Sequence, residues 1–148
     1  MIQEKINKWA DDLSLLEGTD RLTYLVELAK KATTLPEELR TEDRLIPGCI
    51  SKIWVDVGLV EDKIKVYYDS DAMIPKGIAT IVCDIFTDCT KEEARTFTEQ
   101  DLQKLGFVQL VTPQRRNGLY NLVGVLQKRI ELLLSLIHIS EPTRLTSI

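Results

Sequence analysis

Apolar residues recur every three or four positions in the first part of the chain, a pattern that predicts two amphipathic helices. The first spans residues 2–16, and its apolar face consists of Ile2, Ile6, Trp9 and Leu13. Gly18 ends this helix, and Asp20 is expected to cap a second helix over residues 21–34. That helix stops before Pro36, because a residue that precedes proline avoids the helical backbone conformation.

After a charged loop over residues 36–48 the apolar period changes to two, which predicts β-strands. The alternating apolar positions are Ile53, Val55, Val57 and Leu59, followed by Ile64, Val66 and Tyr68. Only Val60, Glu61 and Asp62 separate the two runs, so we expect the strands to pair as an antiparallel hairpin.

The second half of the chain predicts four more helices. One over residues 73–87, capped by Ser70 or Asp71, is apolar nearly all round and is therefore expected in the core. Two short helices follow, each with a capping box: Thr90 with Glu93, and Thr98 with Asp101. Thr112-Pro113 opens the last helix. Helices before and after one hairpin predict an α+β fold, a small antiparallel sheet packed on one face by helices.

Size and composition narrow the possible classes of protein. A chain of 148 residues, 44% hydrophobic and 28% charged, suits one globular domain. The net charge of −4 argues against a general nucleic-acid binder, which needs a basic stripe. No apolar run reaches the roughly 20 residues of a membrane span, and the charged N-terminal residues show no export signal. Three cysteines without a CxxC pair indicate free thiols, so we expect a cytoplasmic location away from membranes.

The end of the chain differs from the rest. Residues 134–144, LSLIHISEPTR, resemble the translation of a transposase adapter used to prepare DNA sequencing libraries. We therefore predict a single domain over residues 1–133 and an artefactual tail over residues 134–148. The single histidine, His138, lies in this tail and is assigned no role. The alternative is a genuine C-terminal extension.

Cys49 is the most unusual candidate for chemistry. It follows Pro47-Gly48, which bend the chain just before the first strand, and loops on a rigid scaffold commonly present reactive groups. Cations close in sequence favour the reactive thiolate: Arg40, Arg44 and Lys52. The alternative is a small apolar residue packed beneath a loop.

The other two cysteines are weaker candidates. Cys83 falls in the most apolar helix, where free cysteine often behaves as a small hydrophobe. Cys89 follows that helix next to acidic residues that disfavour a thiolate. Cys49 lies 34 residues before Cys83, which lies six before Cys89, and no trusted histidine accompanies these thiols, so we expect no metal site. The alternative function is an iron–sulfur or zinc scaffold, or an interaction module, that uses Cys49, Cys83 and Cys89.

Three blocks of the sequence together resemble the SufE family of sulfur-acceptor proteins. Residues 48–54, GCISKIW, are similar to the block G-C-x-S-x-V-W. Residues 70–77, SDAMIPKG, are similar to S-D-A-x-I-x-[KR]-G. Residues 105–107, LGF, and 112–119, TPQRRNGL, are similar to L-G-L and T-P-x-R-x-x-G-L. Three blocks in the same order are far more specific than any one of them.

The resemblance implies a fold similar to iron–sulfur scaffold proteins and a function in sulfur transfer. It implies that Cys49 takes persulfide sulfur from a cysteine desulfurase, stimulates that enzyme and passes the sulfur to an iron–sulfur cluster assembly scaffold. Supporting or partner-facing roles are implied for Gly48, Ser51, Asp71 and Arg115. Pyridoxal phosphate belongs to the desulfurase, so we expect no cofactor here and a sulfur-transfer accessory protein rather than a stand-alone enzyme.

Arg115 and Arg116 lie in the first turn of the last helix, where the helix dipole disfavours each cation by about 0.3–1 kcal/mol. From the residues alone, this indicates either a partner-facing surface or a solvated helix start. With the family pattern, we predict that Arg115 lies near the Cys49 loop or on the surface that faces the desulfurase. The alternative is a structural ion pair with an acidic residue such as Asp71.

Overall fold

Six α-helices and one β-hairpin form the fold of residues 2–33 and 35–146, which the computed structural model describes, with side chains as far as Ser135. The helices are α1 (Ile2–Ser14), α2 (Thr19–Lys31), α3 (Met73–Phe86), α4 (Lys91–Thr96), α5 (Glu99–Lys104) and α6 (Pro113–Thr146). The strands are β1 (Ile53–Val60) and β2 (Lys63–Ser70), which pair antiparallel. Helices packed with a small antiparallel sheet confirm the predicted α+β class.

The hairpin follows the predicted alternation. Val57 lies opposite Val66, and the apolar positions of both strands share the face that packs on the core. Glu61 and Asp62 link the strands with φ of 54° and 65°, the left-handed pair typical of a turn that matches the twist of a hairpin. On the other side of β1, Leu45 forms an isolated bridge with Trp54, so the loop before the strand is anchored to the sheet.

The apolar helix α3 forms the centre of the core. Nine of its fourteen residues are buried, as its sequence predicts. A β-carbon on Gly77 would lie 2.2 Å from the backbone oxygen of Leu25, so glycine is what lets α2 and α3 pack this closely. This packing places the first turn of α3 beside the loop that carries Cys49.

Helix ends agree with the predictions in part. Both capping boxes, Thr90 with Glu93 and Thr98 with Asp101, are confirmed. The predicted cap at Asp20 is wrong, because α2 begins two residues earlier than predicted, at Thr19, and Gly18 occupies the cap position. For α3 the cap position is Ala72, since the side chains of Ser70 and Asp71 bond to the Cys49 loop instead.

Helix α6 begins at Pro113, as predicted, and buries Leu119, Leu122, Leu126 and Ile130. Its backbone runs to Thr146, whereas the side chains after Ser135, including that of His138, lie outside the described residues. The domain over residues 1–133 and the artefactual tail over residues 134–148 therefore stay predictions. Among the described residues, none of the helices has the length and apolarity that crossing a membrane requires.

Candidate functional site

Cys49 lies in the loop before β1 and borders a small apolar cavity. The cavity has a volume of ≈ 30 Å³ and lies between this loop, the first turns of α3 and the start of α6. Its apolar walls are Ile53, Ile74, Pro75, Ile78, Val111 and Leu119. Cys49 is partly exposed, whereas Ile50 beside it projects into solvent with 59% of its surface exposed. The site is thus a half-sheltered thiol on a short surface loop.

Two residues of α6 contact the loop at and beside the thiol. Arg115 Nη1 donates a hydrogen bond of 3.1 Å to Ser51 Oγ. One helical turn later, Gly118 is buried against Cys49, and a β-carbon on Gly118 would lie 2.8 Å from the Cys49 sulfur. The helix therefore approaches the thiol through a residue that has no side chain.

A third residue of α6 binds the start of the loop. Asn121 Nδ2 donates a hydrogen bond of 2.7 Å to the carbonyl oxygen of Pro47. Gly48 has a φ of 76°, a conformation that favours glycine, and a β-carbon there would lie 2.4 Å from the same Asn121 nitrogen and displace that side chain. Asn121 and Gly48 together fix the turn that leads into Cys49.

The far end of the loop is bound by the turn between β2 and α3. Asp71 Oδ1 accepts a hydrogen bond of 3.0 Å from the backbone nitrogen of Lys52, and the Asp71 nitrogen donates one of 3.1 Å to the Lys52 carbonyl. Ser70 Oγ donates a further bond of 2.7 Å to that carbonyl. Asp71 therefore holds the loop by hydrogen bonds to the backbone of Lys52. Arg115 bonds to Ser51 and does not form the alternative ion pair with Asp71.

The predicted role of Arg40 and Arg44 at Cys49 is wrong. Burial raises the pKa of the Cys49 thiol, which favours the protonated form. Arg40 pairs with Asp69 at 2.6 Å, and Arg44 lies 3.3 Å from Asp56, so both guanidinium groups already have carboxylate partners. In this structure the thiol is sheltered rather than activated.

Asp69, which the sequence analysis overlooked, anchors the chain segment that leads to the site. Its carboxylate is 1% exposed and pairs with both Arg40 and Lys76, the latter at 3.2 Å. It also accepts a hydrogen bond of 3.0 Å from the backbone nitrogen of Leu35. Arg40 further lies over the ring of Trp54, 5.6 Å from its centroid. The buried charge of Asp69 on β2 thus joins the segment that contains Leu35 and Arg40 to Lys76 of α3.

Cys83 and Cys89 have different surroundings from Cys49. Cys83 is 1% exposed in α3, and burial, followed by the charge of Asp84, raises its pKa far above the ordinary value. Cys89 is 7% exposed, and burial, followed by the charge of Glu93, raises its pKa to about 11. Among the described residues no group of three histidine, cysteine or acidic side chains lies close enough to hold a metal ion. The three cysteines are therefore not gathered into one site.

The structure brings four of the predicted site residues together and adds two that were missed. Gly48, Cys49, Ser51 and Arg115 meet where the loop crosses the start of α6, and Asp71 holds the loop at its far end. Gly118 was visible as a glycine inside a helix, which usually has a packing reason. Asn121 gave no signal in the sequence, because nothing local marks its partner Pro47.

Comparison with known proteins adds a family match. The family model SufE, described as an Fe-S metabolism associated domain, matches residues 7–130. A solution structure of a hypothetical protein from Thermus thermophilus has a TM-score of 0.73 at 19% identity, over 88% of this chain and 96% of that one. That likeness supports the fold alone.

Two curated relatives match over nearly their whole length. An uncharacterized SufE-like protein of Rhizobium meliloti is 32% identical over 127 residues, which cover 82% of this chain and 91% of the relative. The cysteine desulfuration protein SufE of Wigglesworthia glossinidia brevipalpis is 31% identical over 134 residues, or 88% of this chain and 92% of the relative. The residues that the family model matches, 7–130, include the Cys49 loop and the start of α6.

Proposed function

The chain belongs to the SufE family, and on that premise we propose that it accepts sulfur on Cys49 from a cysteine desulfurase. The family connects it with iron–sulfur metabolism, and one relative carries the name of a cysteine desulfuration protein. The observation that carries the proposal is the position of Cys49. Of the three cysteines it alone is not buried, and it lies on a surface loop beside an apolar cavity.

The transfer is a thiol–disulfide type exchange. The Cys49 thiolate attacks the outer sulfur of a persulfide on the partner enzyme, and a new S–S bond forms at Cys49. The S–S bond of the donor breaks, and the donor cysteine leaves as a thiolate. Electrons balance within the exchange, so neither an oxidant nor a reductant is needed. Pyridoxal phosphate serves the desulfurase, which generates the persulfide from cysteine.

The surroundings of Cys49 suit storage of a reactive sulfur. The cavity of ≈ 30 Å³ lies beside the thiol, so a sulfur added to Cys49 would lie among its apolar walls. Burial raises the pKa of the thiol, which keeps the resting sulfur protonated and weakly nucleophilic. We therefore expect the partner to displace the loop over residues 47–51 and expose the thiol before exchange takes place.

The sulfur held on Cys49 then passes to an iron–sulfur cluster assembly scaffold by a second exchange of the same kind. In this scheme the chain turns over only together with its partners, so it acts as an accessory carrier and stimulates the desulfurase by removing its persulfide. The apolar side chain of Ile50, which projects into solvent beside the thiol, is available for contact with either partner.

Mass spectrometry tests the proposal directly. The protein is incubated with a purified cysteine desulfurase and cysteine, and its mass is then measured without a reductant. We expect one added sulfur atom on the wild-type protein and on the Cys83→Ala and Cys89→Ala variants. The adduct should be absent from Cys49→Ser, and the same adduct on that variant would contradict the assignment.

A further inference from the structure

Strand β2 has an edge that, among the described residues, is only partly paired. The Ile64 carbonyl oxygen accepts a hydrogen bond of 2.9 Å from the Asp88 nitrogen, on the side of β2 that faces away from β1. Backbone groups alternate in direction along a strand, so those of Val66 and Tyr68 face the same way as those of Ile64. Within residues 2–33 and 35–146, the N–H and C=O groups of Val66 and Tyr68 have no hydrogen-bond partner. An edge of this kind is a template for another strand.

A groove of ≈ 680 Å³ runs along this edge. The four residues Lys65–Tyr68 form one wall, and the facing walls include Trp9, Leu35, Leu39 and Thr80. The Asp88 bond to Ile64 closes one end, and the Leu35 bond to Asp69 closes the other. The part of the groove between these two bonds therefore lies along the unpaired backbone groups of Val66 and Tyr68.

The side chains along the edge define what such a strand would carry. Ile64, Val66 and Tyr68 face the core side, where Trp9 and Leu35 add apolar surface. Lys63 and Lys65 face the outer side and are exposed. Of the two acidic residues that line the groove, Asp56 lies on this outer face beside Arg44, 3.3 Å away, whereas Asp84 of α3 accepts a hydrogen bond of 2.8 Å from the neutral indole of Trp9 and keeps its charge. The two lysines thus leave a positive outer face.

We propose that this groove binds an extended peptide segment of another protein, which adds to β2 as an antiparallel strand whose apolar residues alternate with acidic ones. Directly opposite residues of antiparallel strands share a face, so the apolar residues pair with Val66 and Tyr68 and the acidic ones lie beside Lys65. Backbone bonds supply the affinity and the alternate side chains supply the specificity.

The groove and the Cys49 cavity share no lining residue. A peptide on β2 therefore leaves the cavity beside Cys49 free. The inference goes beyond sulfur transfer, and binding is measured without a desulfurase, so it stands or falls independently of the proposed function.

The test uses the ¹⁵N-labelled full chain and short capped peptides of alternating valine and glutamate. Titration should shift the amide signals of Val66 and Tyr68 and slow their hydrogen exchange. A peptide that alternates valine and lysine should bind at least tenfold more weakly. Lys65→Glu should reverse that preference, whereas Lys128→Glu, an exposed position on α6, should leave it unchanged.

Backbone methylation of the peptide separates strand addition from mere contact. Valine nitrogens face β2 in the proposed pairing, so N-methylated valines should abolish binding, and N-methylated glutamates should leave it within about twofold. Equal loss with both peptides, or unshifted Val66 and Tyr68 amides at saturating peptide, would overturn the proposal. A concentration-dependent shift of the same amides without peptide would also overturn it, in favour of a second copy of the chain.

Discussion

Gly118 of α6 lies directly against Cys49, so that a β-carbon at residue 118 would stand 2.8 Å from the Cys49 sulfur. The thiol is sheltered because the helix presents backbone rather than a side chain at this point. Arg115 and Asn121, one turn to either side, bond to Ser51 and to Pro47. The start of α6 therefore determines how readily the thiol leaves its cavity, and several predictions concern this contact.

The variant Gly118→Ala should loosen the Cys49 loop. Crowding in a packed site costs about 1–3 kcal/mol, more than the roughly 0.5–1 kcal/mol that alanine gains over glycine in a helix. We expect a lower free energy of unfolding in denaturant and faster alkylation of Cys49. Gly124→Ala is the matched control, because a β-carbon there meets nothing within 4 Å and should only stabilise. If Gly118→Ala and Gly124→Ala had the same free energy of unfolding and the same rate of Cys49 alkylation, the contact between Gly118 and Cys49 would be unimportant.

The variant Asn121→Ala should raise the reactivity of Cys49 while leaving the core intact. It removes the bond to Pro47, worth about 0.5–1.5 kcal/mol, which corresponds to a roughly two- to tenfold faster alkylation. Alkylation is followed by mass spectrometry under native conditions, where Cys83 and Cys89 should stay unmodified. Asn117→Ala, at an exposed position of the same helix, should react at the wild-type rate. An unchanged rate for Asn121→Ala would contradict the prediction.

Arg115→Ala should retain the wild-type melting temperature but lose stimulation of the desulfurase. Arg115→Lys should recover part of it, because the charge remains while the planar fork of the guanidinium is lost. Ser51→Ala removes the hydroxyl that accepts the Arg115 hydrogen bond but keeps the positive charge of Arg115. It therefore distinguishes the effect of the hydrogen bond from the effect of the charge. Transfer rate and melting are measured on the same samples. A joint fall in both would identify Arg115 as a structural tie, and unchanged transfer would exclude a functional role.

The buried carboxylate of Asp69 should make stability depend on pH in the acid range. Burial by itself raises the pKa of Asp69, but hydrogen bonds from the Ser70 nitrogen and Lys76, with the charges of Lys76 and Arg40, outweigh it and hold the pKa below its usual value. The carboxylate therefore stabilises the fold fully above its unfolded pKa of about 3.9, and this contribution is lost as pH falls through the lower folded pKa.

At neutral pH, Asp69→Asn should cost about 3–5 kcal/mol, because it breaks a buried ion pair from one side. Urea unfolding at a series of pH values should show the gap between wild type and variant closing below about pH 4. Asp11→Asn, at an exposed site, should follow the wild type within about 0.5 kcal/mol throughout. If the difference in free energy of unfolding between wild type and Asp69→Asn stayed constant down to the lowest pH measured, the ionic role of Asp69 would be refuted.

Deleting residues 134–148 should leave melting and sulfur acceptance unchanged. The family match ends at residue 130, and the deleted string resembles a sequencing adapter. Calorimetry of the full and shortened chains checks the first expectation, and the mass of the sulfur adduct checks the second. A large loss of thermal stability would show that the segment packs on the domain and is part of the protein.

The sequence by itself determined the elements and the candidate thiol. Periods of 3.6 and 2 and the two capping boxes are local patterns, so helices, hairpin and most of their ends follow without knowledge of distant residues. The motif around Cys49 is likewise contiguous, and it identified the thiol and its neighbours Gly48 and Ser51. Asp20 failed as a cap, because α2 begins at Thr19 with Gly18 at the cap position.

Only the tertiary structure decided the environment of the thiol. The bonds from Arg115 to Ser51 and from Asn121 to Pro47 join residues 64 and 74 positions apart, and local patterns carry no information about such pairs. Arg40 and Arg44, two of the three cations near Cys49 in sequence, turn instead to Asp69 and Asp56, because a buried or half-buried carboxylate needs a partner more than a thiol does. Burial then raises the pKa of Cys49, since desolvation depends on everything packed around the sulfur and not on its neighbours along the chain.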